Sequence, residues 1–169
     1  MQALSELRSE YDLIVIDTQI LEAEGDMTDI WHVFLVPLLR GDAWGLGVFD
    51  DSSEGLDLLE SRVAMLTEQF GISNARMLVI ANKWEQFTDD DAAMISQMFA
   101  GRATFIGSSD LDMSFHDRLG TGFVFTAATG IAPVVRLLLH KVIGRREFEP
   151  VGTASGRRTP FRLFGRKSK

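Results

Sequence analysis

The stretch YDLIVIDT, residues 11–18, decides the fold, because four consecutive aliphatic side chains from Leu13 to Ile16 lie between two aspartates. A short, uninterrupted apolar run rich in β-branched residues is typical of a strand that is buried on both faces of a sheet. The run therefore predicts a central strand. Asp17 then lies at the carboxyl end of that strand, where open parallel sheets place their ligands.

Further strand-like runs follow along the chain. They are WHVFLVP at 31–37, RMLVIAN at 76–82, ATFIG at 103–107 and GFVFT at 122–126. Pro37 is expected to end the first of these, since proline has no N–H to donate to a ladder. The glycine-containing segment GDAWGLGVFDD, residues 41–51, is predicted to be a long loop.

Three segments between these runs have the spacing of amphipathic helices. The first begins at Asp51, with Glu54 three residues later as a capping partner, and the second begins at Thr88 with Asp91 in the same relation. The third runs from about residue 131 to 143. This alternation predicts an α/β fold, a three-layer, mostly parallel sheet with flanking helices.

Composition narrows the class of protein. The 169 residues are 46% hydrophobic and 24% charged, which suits one domain with a substantial apolar core. Without cysteine the chain has no disulfide, no thiolate metal site and no cysteine nucleophile. It has no apolar run of about 18 residues and no signal-like amino terminus, so we expect a cytoplasmic location.

Charge and composition divide the chain into three parts. Residues 1–148 form the predicted domain, residues 149–158 a flexible linker, and residues 159–169 a basic amphipathic tail. The formal charge is −7, yet all 24 acidic residues precede residue 151, and residues 151–169 hold six basic ones. An anionic partner is therefore expected to meet the tail.

The tail, TPFRLFGRKSK, has the pattern of a short amphipathic helix in which Thr159 caps and Pro160 begins the first turn. Buried aromatic and aliphatic side chains contribute roughly 1.5–3 kcal/mol each, and each cation near anionic lipid adds about 1 kcal/mol. The predicted membrane contacts, on the inner face of the cell membrane, are Phe161, Arg162, Leu163, Phe164, Arg166 and Lys167. The alternative is a disordered basic terminus; a segment this short disfavours specific nucleic-acid binding.

The segment YDLIVIDTQ is similar to the YDxVIIDTPP motif of the MinD/ParA family of deviant-Walker P-loop ATPases, which includes the CpaE and TadZ pilus-assembly proteins. The order of the later elements, over about residues 5–144, resembles that family too, and the tail resembles the membrane-targeting tail of MinD. The chain departs from the motif at Gln19 and Ile20, which replace the paired prolines, and in its longer 41–51 segment.

The resemblance implies an ATP-binding protein that positions machinery such as pili, division sites or plasmids. Asp17 would organise nucleotide-bound Mg²⁺ through water, as a Walker B acid does, with Thr18 beside it. Asn82 would meet adenine, Lys83 would line the same mouth, and Asp110 would approach the nucleotide from a late loop. The alternatives are a solvated strand-end Asp17, a turn-forming Asn82 and a plain surface loop around Asp110.

No Gly- and Lys-rich phosphate loop occurs anywhere in the sequence. Without a neighbouring strand, residues 11–18 would expose a long apolar edge. We therefore expect a truncated chain, a late start codon, or a partner that covers the edge, in a homodimer or with another protein. A non-catalytic adaptor that keeps the fold and tail is the competing function. The NKWE segment at 82–85 weakly resembles a GTPase motif, which the absent phosphate loop disfavours.

Overall fold

The computed structural model describes residues 2–18, 31–110 and 131–149. In this part of the chain three strands form one parallel sheet in the order β1-β2-β3, with helices against both faces. The elements are α1 (Gln2–Glu10), a π-helical turn (Trp31–Leu35), α2 (Val36–Arg40), β1 (Gly45–Phe49), α3 (Ser53–Ala64) with a π-helical continuation (Met65–Gln69), a 3₁₀ turn (Asn74–Arg76), β2 (Met77–Trp84), α4 (Asp89–Met98), β3 (Thr104–Asp110), α5 (Ala132–Ile143) and a second 3₁₀ turn (Arg146–Phe148). The predicted α/β class with a parallel sheet is confirmed.

Strand β2 is the centre of the core, since its residues 77–81 are all buried. Alternate side chains of a strand point to opposite faces, so a fully buried strand requires a covering layer on each side. Val79 and Ala81 pack with the α3 and α4 side, against residues such as Val63 and Ile95. On the other face the apolar cluster consists of Leu78, Ile80 and Ile106 from the sheet and Val134 from α5.

Helices α3, α4 and α5 lie where the sequence predicts them, and one cap differs. Thr88 and Asp91 form the predicted capping box of α4, with reciprocal side-chain to backbone hydrogen bonds. Helix α3 is capped by Ser52 and not by Asp51, because the Ser52 hydroxyl accepts from the Gly55 N–H. The cap prediction at Asp51 was therefore wrong by one residue.

The predicted central strand at residues 11–18 is not formed. This segment has no strand pairing, and its apolar side chains are exposed apart from the half-buried Ile14, with Val15 83% exposed. Asp12 of this segment forms an exposed ion pair with Arg145, a kind of contact that stabilises only weakly. The apolar run indicates a preference for burial, but burial as a central strand requires neighbouring strands. Among the described residues, no strand pairs with residues 11–18.

The predicted strand at 31–37 is helical. Residues 31–40 form a π-helical turn followed by α2, and Pro37 lies in the first turn of α2, where its missing N–H costs nothing. Short apolar runs do not distinguish a strand from a buried helical segment by periodicity alone. Among residues 32–40, only Val36 is buried in the core.

The predicted loop at 41–51 contains β1. Its glycines indicated a loop, but Gly47 allows β1 to lie close to α3, because a Cβ at that position would come within 2.6 Å of Cδ1 of Leu59 and that side chain would have to move. Glycine in a strand often marks such a close approach. Strand β1 pairs in parallel with β2 from Gly45 to Phe49.

The predicted strand at 122–126, the linker and the tail lie outside the described residues, save Glu149. Strand β3 extends the predicted 103–107 run to Asp110. Within residues 2–18, 31–110 and 131–149, no helix is long and apolar enough to cross a bilayer.

Replacing Ile95 by alanine tests the α4 layer of the core. Ile95 is fully buried, so Ile95→Ala should lower the free energy of unfolding by about 2–5 kcal/mol through lost burial and a residual cavity. Its neighbour Met94 is 45% exposed, and Met94→Ala should change stability by less than about 0.5 kcal/mol. Urea unfolding followed by circular dichroism measures both. Equal losses in the two variants would contradict the described packing of α4.

Candidate functional site

Polar side chains occupy the carboxyl ends of all three parallel strands. Asp50 follows β1 directly, Asn82 and Lys83 lie near the end of β2, and Ser109 precedes the last residue of β3. The register pairs Phe49 with Ala81 and Ala81 with Ser108. The next residues along the three strands, Asp50, Asn82 and Ser109, therefore lie at the same edge of the sheet. We refer to Asp50, Ser52, Asn82, Lys83 and Ser109 as the carboxyl-edge site.

Asp50 is held at the tip of β1 by the first turn of α3. Its Oδ1 accepts hydrogen bonds from the Ser52 hydroxyl at 2.5 Å and from the Ser52 amide at 3.2 Å. The same hydroxyl accepts from the Gly55 N–H at 3.1 Å and so caps the helix. A Cβ on Gly55 would come within 3.0 Å of Asp50 Oδ1, so glycine keeps the space between the carboxylate and the helix start open.

A β-bulge places Asn82 and Lys83. Between the pairs Ala81–Ser108 and Trp84–Asp110, strand β2 has two residues where β3 has only Ser109. An extra residue of this kind bends the strand and redirects a side chain, and such bulges are frequent beside active sites. The bulge is tied to β3 by the Ser109 hydroxyl, which donates to Asn82 Oδ1 at 2.7 Å. Ser109 is itself buried, so the Asn82 amide is fixed from within.

Lys83 has a left-handed backbone conformation, with φ of 56°. A non-glycine residue in that region is uncommon, and such strain is concentrated at functional sites. The next side chain, Trp84, packs edge-on against Phe49 and Phe87 and so belongs to the core. The bulge therefore separates a half-buried tryptophan from an exposed lysine.

The Asp50 carboxyl has a lowered pKa, chiefly because of its hydrogen bonds with Ser52. Hydrogen bonds from the Ser52 hydroxyl and then from the Ser52 amide lower the pKa of the Asp50 carboxyl, and the Lys83 charge lowers it further. Asp50 is thus anionic throughout the neutral range. The site holds a fixed carboxylate, a fixed amide and a cation at one edge, and it can bind a ligand that has both anionic groups and hydrogen-bonding edges.

The structure brings some of the sequence-predicted site residues together and not others. Asn82 and Lys83 lie at a strand end, as predicted. Asp17 and Thr18 lie in the exposed segment after α1, so their predicted position at the end of a central strand was wrong. Asp110 is the last residue of β3, in register with Trp84.

Sequence reasoning missed Asp50, Ser52 and Ser109. The first two were assigned to a loop and a helix start because the strand before them was not recognised. The pattern of an apolar run, GLGVF, followed by DDS was the available signal. Ser109 had no such signal, because its importance depends on its cross-strand contact with Asn82.

No family model, no curated protein and no solved structure matches this chain. Its function is inferred from its own residues.

Replacing Ser52 by alanine tests the arrangement at Asp50. Ser52→Ala removes the hydroxyl donor to Asp50 and the α3 cap, so we expect the Asp50 pKa to rise toward its ordinary value and stability to fall by about 1 kcal/mol from the lost cap. A lowered carboxyl pKa stabilises the fold above the ordinary pKa, and that stabilisation is lost as pH falls through the folded-state value. The stability of the Ser52→Ala variant should therefore change less than that of the wild type as the pH falls into the acid range.

An NMR titration of the Asp50 carboxyl carbon measures this pKa directly. Ser53→Ala, one residue further along and not the cap, is the matched control and should leave the Asp50 titration unchanged. An Asp50 titration that is identical in wild type and Ser52→Ala would refute the assigned contact.

Proposed function

We propose that this chain is a MinD/ParA-like nucleotide-binding domain, or the carboxyl-terminal half of one, and that its carboxyl-edge site contacts ATP. One observation supports this most strongly: side chains from the ends of three adjacent parallel strands converge, with a bulge and a strained backbone at the central one. Ligands of open α/β sheets bind in the crevice beyond these strand ends.

The side chains of the carboxyl-edge site can contact different groups of a magnesium-bound nucleotide. The Lys83 ammonium is a suitable partner for phosphate oxygens, and the Asn82 amide can both donate to and accept from a base edge. The Asp50 carboxylate suits a metal-bound water or a ribose hydroxyl. Asp17, with Thr18, keeps its proposed Mg²⁺ role on the resemblance of its segment alone, and Asp110 is proposed beside the nucleotide on the same ground.

A phosphate-binding loop would have to come from outside these 169 residues. On the side of β1 away from β2, no other strand of the described residues is paired. A strand supplied there by a second copy or another protein would extend the sheet and bring a phosphate loop to the same carboxyl edge. The resulting assembly would then act, as MinD/ParA-like proteins do, in spatial positioning of assemblies such as pili, division sites or plasmids.

Adding Mg-ATP to the isotope-labelled chain tests this proposal. The amide NMR signals of residues 50–52, 82–83 and 108–109 should shift and saturate, with weak affinity because the phosphate loop is absent. Asp50→Asn and Lys83→Gln should each weaken this binding by about threefold or more. Lys83→Gln keeps the strained backbone while it removes the charge, and Asp57→Asn, on the exposed surface of α3, is the matched control. Shifts that are absent from the carboxyl edge would reject the proposal.

A specific observation also favours the second candidate, a non-catalytic adaptor that binds a partner through its apolar surface. Segment 11–18 is exposed, and on β1 the side chains of Leu46 and Val48 are 43% and 53% exposed. By register they lie on the same face as Leu78 and Ile80, which α5 covers. An adaptor would bind its partner here without nucleotide.

Sedimentation with liposomes tests the proposed peripheral membrane contact of the tail. The full chain should sediment with anionic vesicles and remain in solution with neutral ones, because its basic residues add electrostatic attraction to apolar insertion. Phe161→Ser combined with Phe164→Ser removes the apolar contacts and should reduce sedimentation severalfold. Phe148→Ser, in the 3₁₀ turn before the linker, is the control for loss of an aromatic residue. Equal sedimentation of all variants would exclude a specific role for the tail.

A further inference from the structure

A separate cleft lies at the opposite, amino-terminal end of the sheet. It is lined by Arg40 and Gly41 before β1 and by Gly71, Ser73 and Arg76 before β2, and its volume is about 240 Å³. Ligand pockets for drug-sized molecules are typically about 300–1,000 Å³. The cleft is therefore of a size for a small ion or a small monoester, and too small for a whole nucleotide.

Two guanidinium groups line this cleft, and their hydrogen bonds are to backbone carbonyls. Arg40 donates from Nε and Nη2 to the Phe70 carbonyl, at 3.0 and 2.7 Å, and Arg76 donates from Nη1 to the Gly41 carbonyl. Each guanidinium has further N–H donors that these bonds do not use. Among the described residues, neither arginine has a carboxylate within ion-pairing distance.

Two acidic residues close in sequence to the residues that line the cleft are paired with other arginines. Asp42 lies 2.8 Å from Nη2 of Arg8, and Glu68 lies 3.9 Å from Nε of Arg102. Arg102 is also bonded to Glu60 and so is balanced by two carboxylates. In the described part of the chain Arg40 and Arg76 thus have no paired carboxylate, although the net charge of the chain is −7.

A hydroxyl group completes the donor set. Ser73 precedes the 3₁₀ turn at Asn74–Arg76, but its side chain makes no capping hydrogen bond. The residue is exposed and lines the cleft, so its hydroxyl is available to a ligand. Two guanidinium groups and a hydroxyl around one small space match the oxygens of a phosphate group, since arginine binds such oxyanions through several parallel charge-assisted bonds.

We propose that this cleft is an anion site for a phosphate group, held by Arg40, Arg76 and Ser73 and distinct from the carboxyl-edge site. The bound group is inorganic phosphate or the phosphate of a small soluble monoester. The carbonyl contacts position the two guanidinium groups, and the ligand supplies the missing negative charge. The site does not depend on the proposed nucleotide function.

The test is a phosphate titration of the labelled full chain at constant ionic strength, followed by amide NMR. The signals of Gly41, Ser73 and Arg76 should shift and saturate in the millimolar range or below, while those of Asn82 and Ser109 stay unchanged. A parallel titration with glycerol phosphate distinguishes the sources, since tighter binding of the monoester assigns the site to a phosphorylated metabolite. Sodium chloride at matched ionic strength should produce no saturating shift.

Substitutions of the cleft residues test whether these side chains bind the phosphate. Arg40→Gln and Arg76→Gln should each weaken phosphate binding by about tenfold or more, the effect of losing charge-assisted bonds. Arg102→Gln is the matched control, because Arg102 is already paired with carboxylates. This substitution should leave the phosphate affinity unchanged. If Arg76→Gln unfolds the chain, Ser73→Ala and Arg40→Lys still test the site, with weaker binding expected in both. Linear, unsaturated shifts, or equal weakening in Arg102→Gln, would overturn the proposal.

Discussion

The structure depends on the burial of β2 on both of its faces. A parallel strand with apolar side chains on both faces is shielded from solvent only if a layer of structure covers each face. Here α3 and α4 cover one face, and α5 covers the other. That requirement orders the chain, because each connection must cross from one strand to the next over a face of the sheet. It also aligns three strands in one direction, so their carboxyl ends meet at one edge and their amino ends at the other.

The two edges therefore acquire different chemistry. At the carboxyl edge, short polar residues follow the strands, and the bulge at Asn82 and Lys83 adds a fixed amide and a cation to the Asp50 carboxylate. At the amino edge, Arg40, the last residue of α2, donates to the carbonyl of Phe70 at the end of the α3 continuation, and Arg76, just before β2, donates to the carbonyl of Gly41 at the end of α2. Cations favour such helix ends because the exposed carbonyls carry partial negative charge. One scaffold thus offers a mixed-charge site at one end and a cationic cleft at the other.

Segment 11–18 has a strand-like sequence, but among the described residues no strand pairs with it. Its aliphatic side chains are as apolar as those of β2, yet β2 is buried and Val15 is 83% exposed. The difference lies in what surrounds each segment, since β2 has a strand on either side and a helix layer on either face.

The sequence by itself determined the elements whose signals are local. These are the apolar run of β2, the Thr88–Asp91 capping box, the helical spacing of α3 and α5, and the strand-end position of Asn82, because periodicity and capping act within a few residues. Only the tertiary structure decided which apolar run is buried, that the glycine-containing 45–49 segment is a strand against Leu59, and that Ser109 fixes Asn82. Each of these depends on a neighbour distant in sequence, and a preference for burial or for a hydrogen bond does not specify the partner that satisfies it.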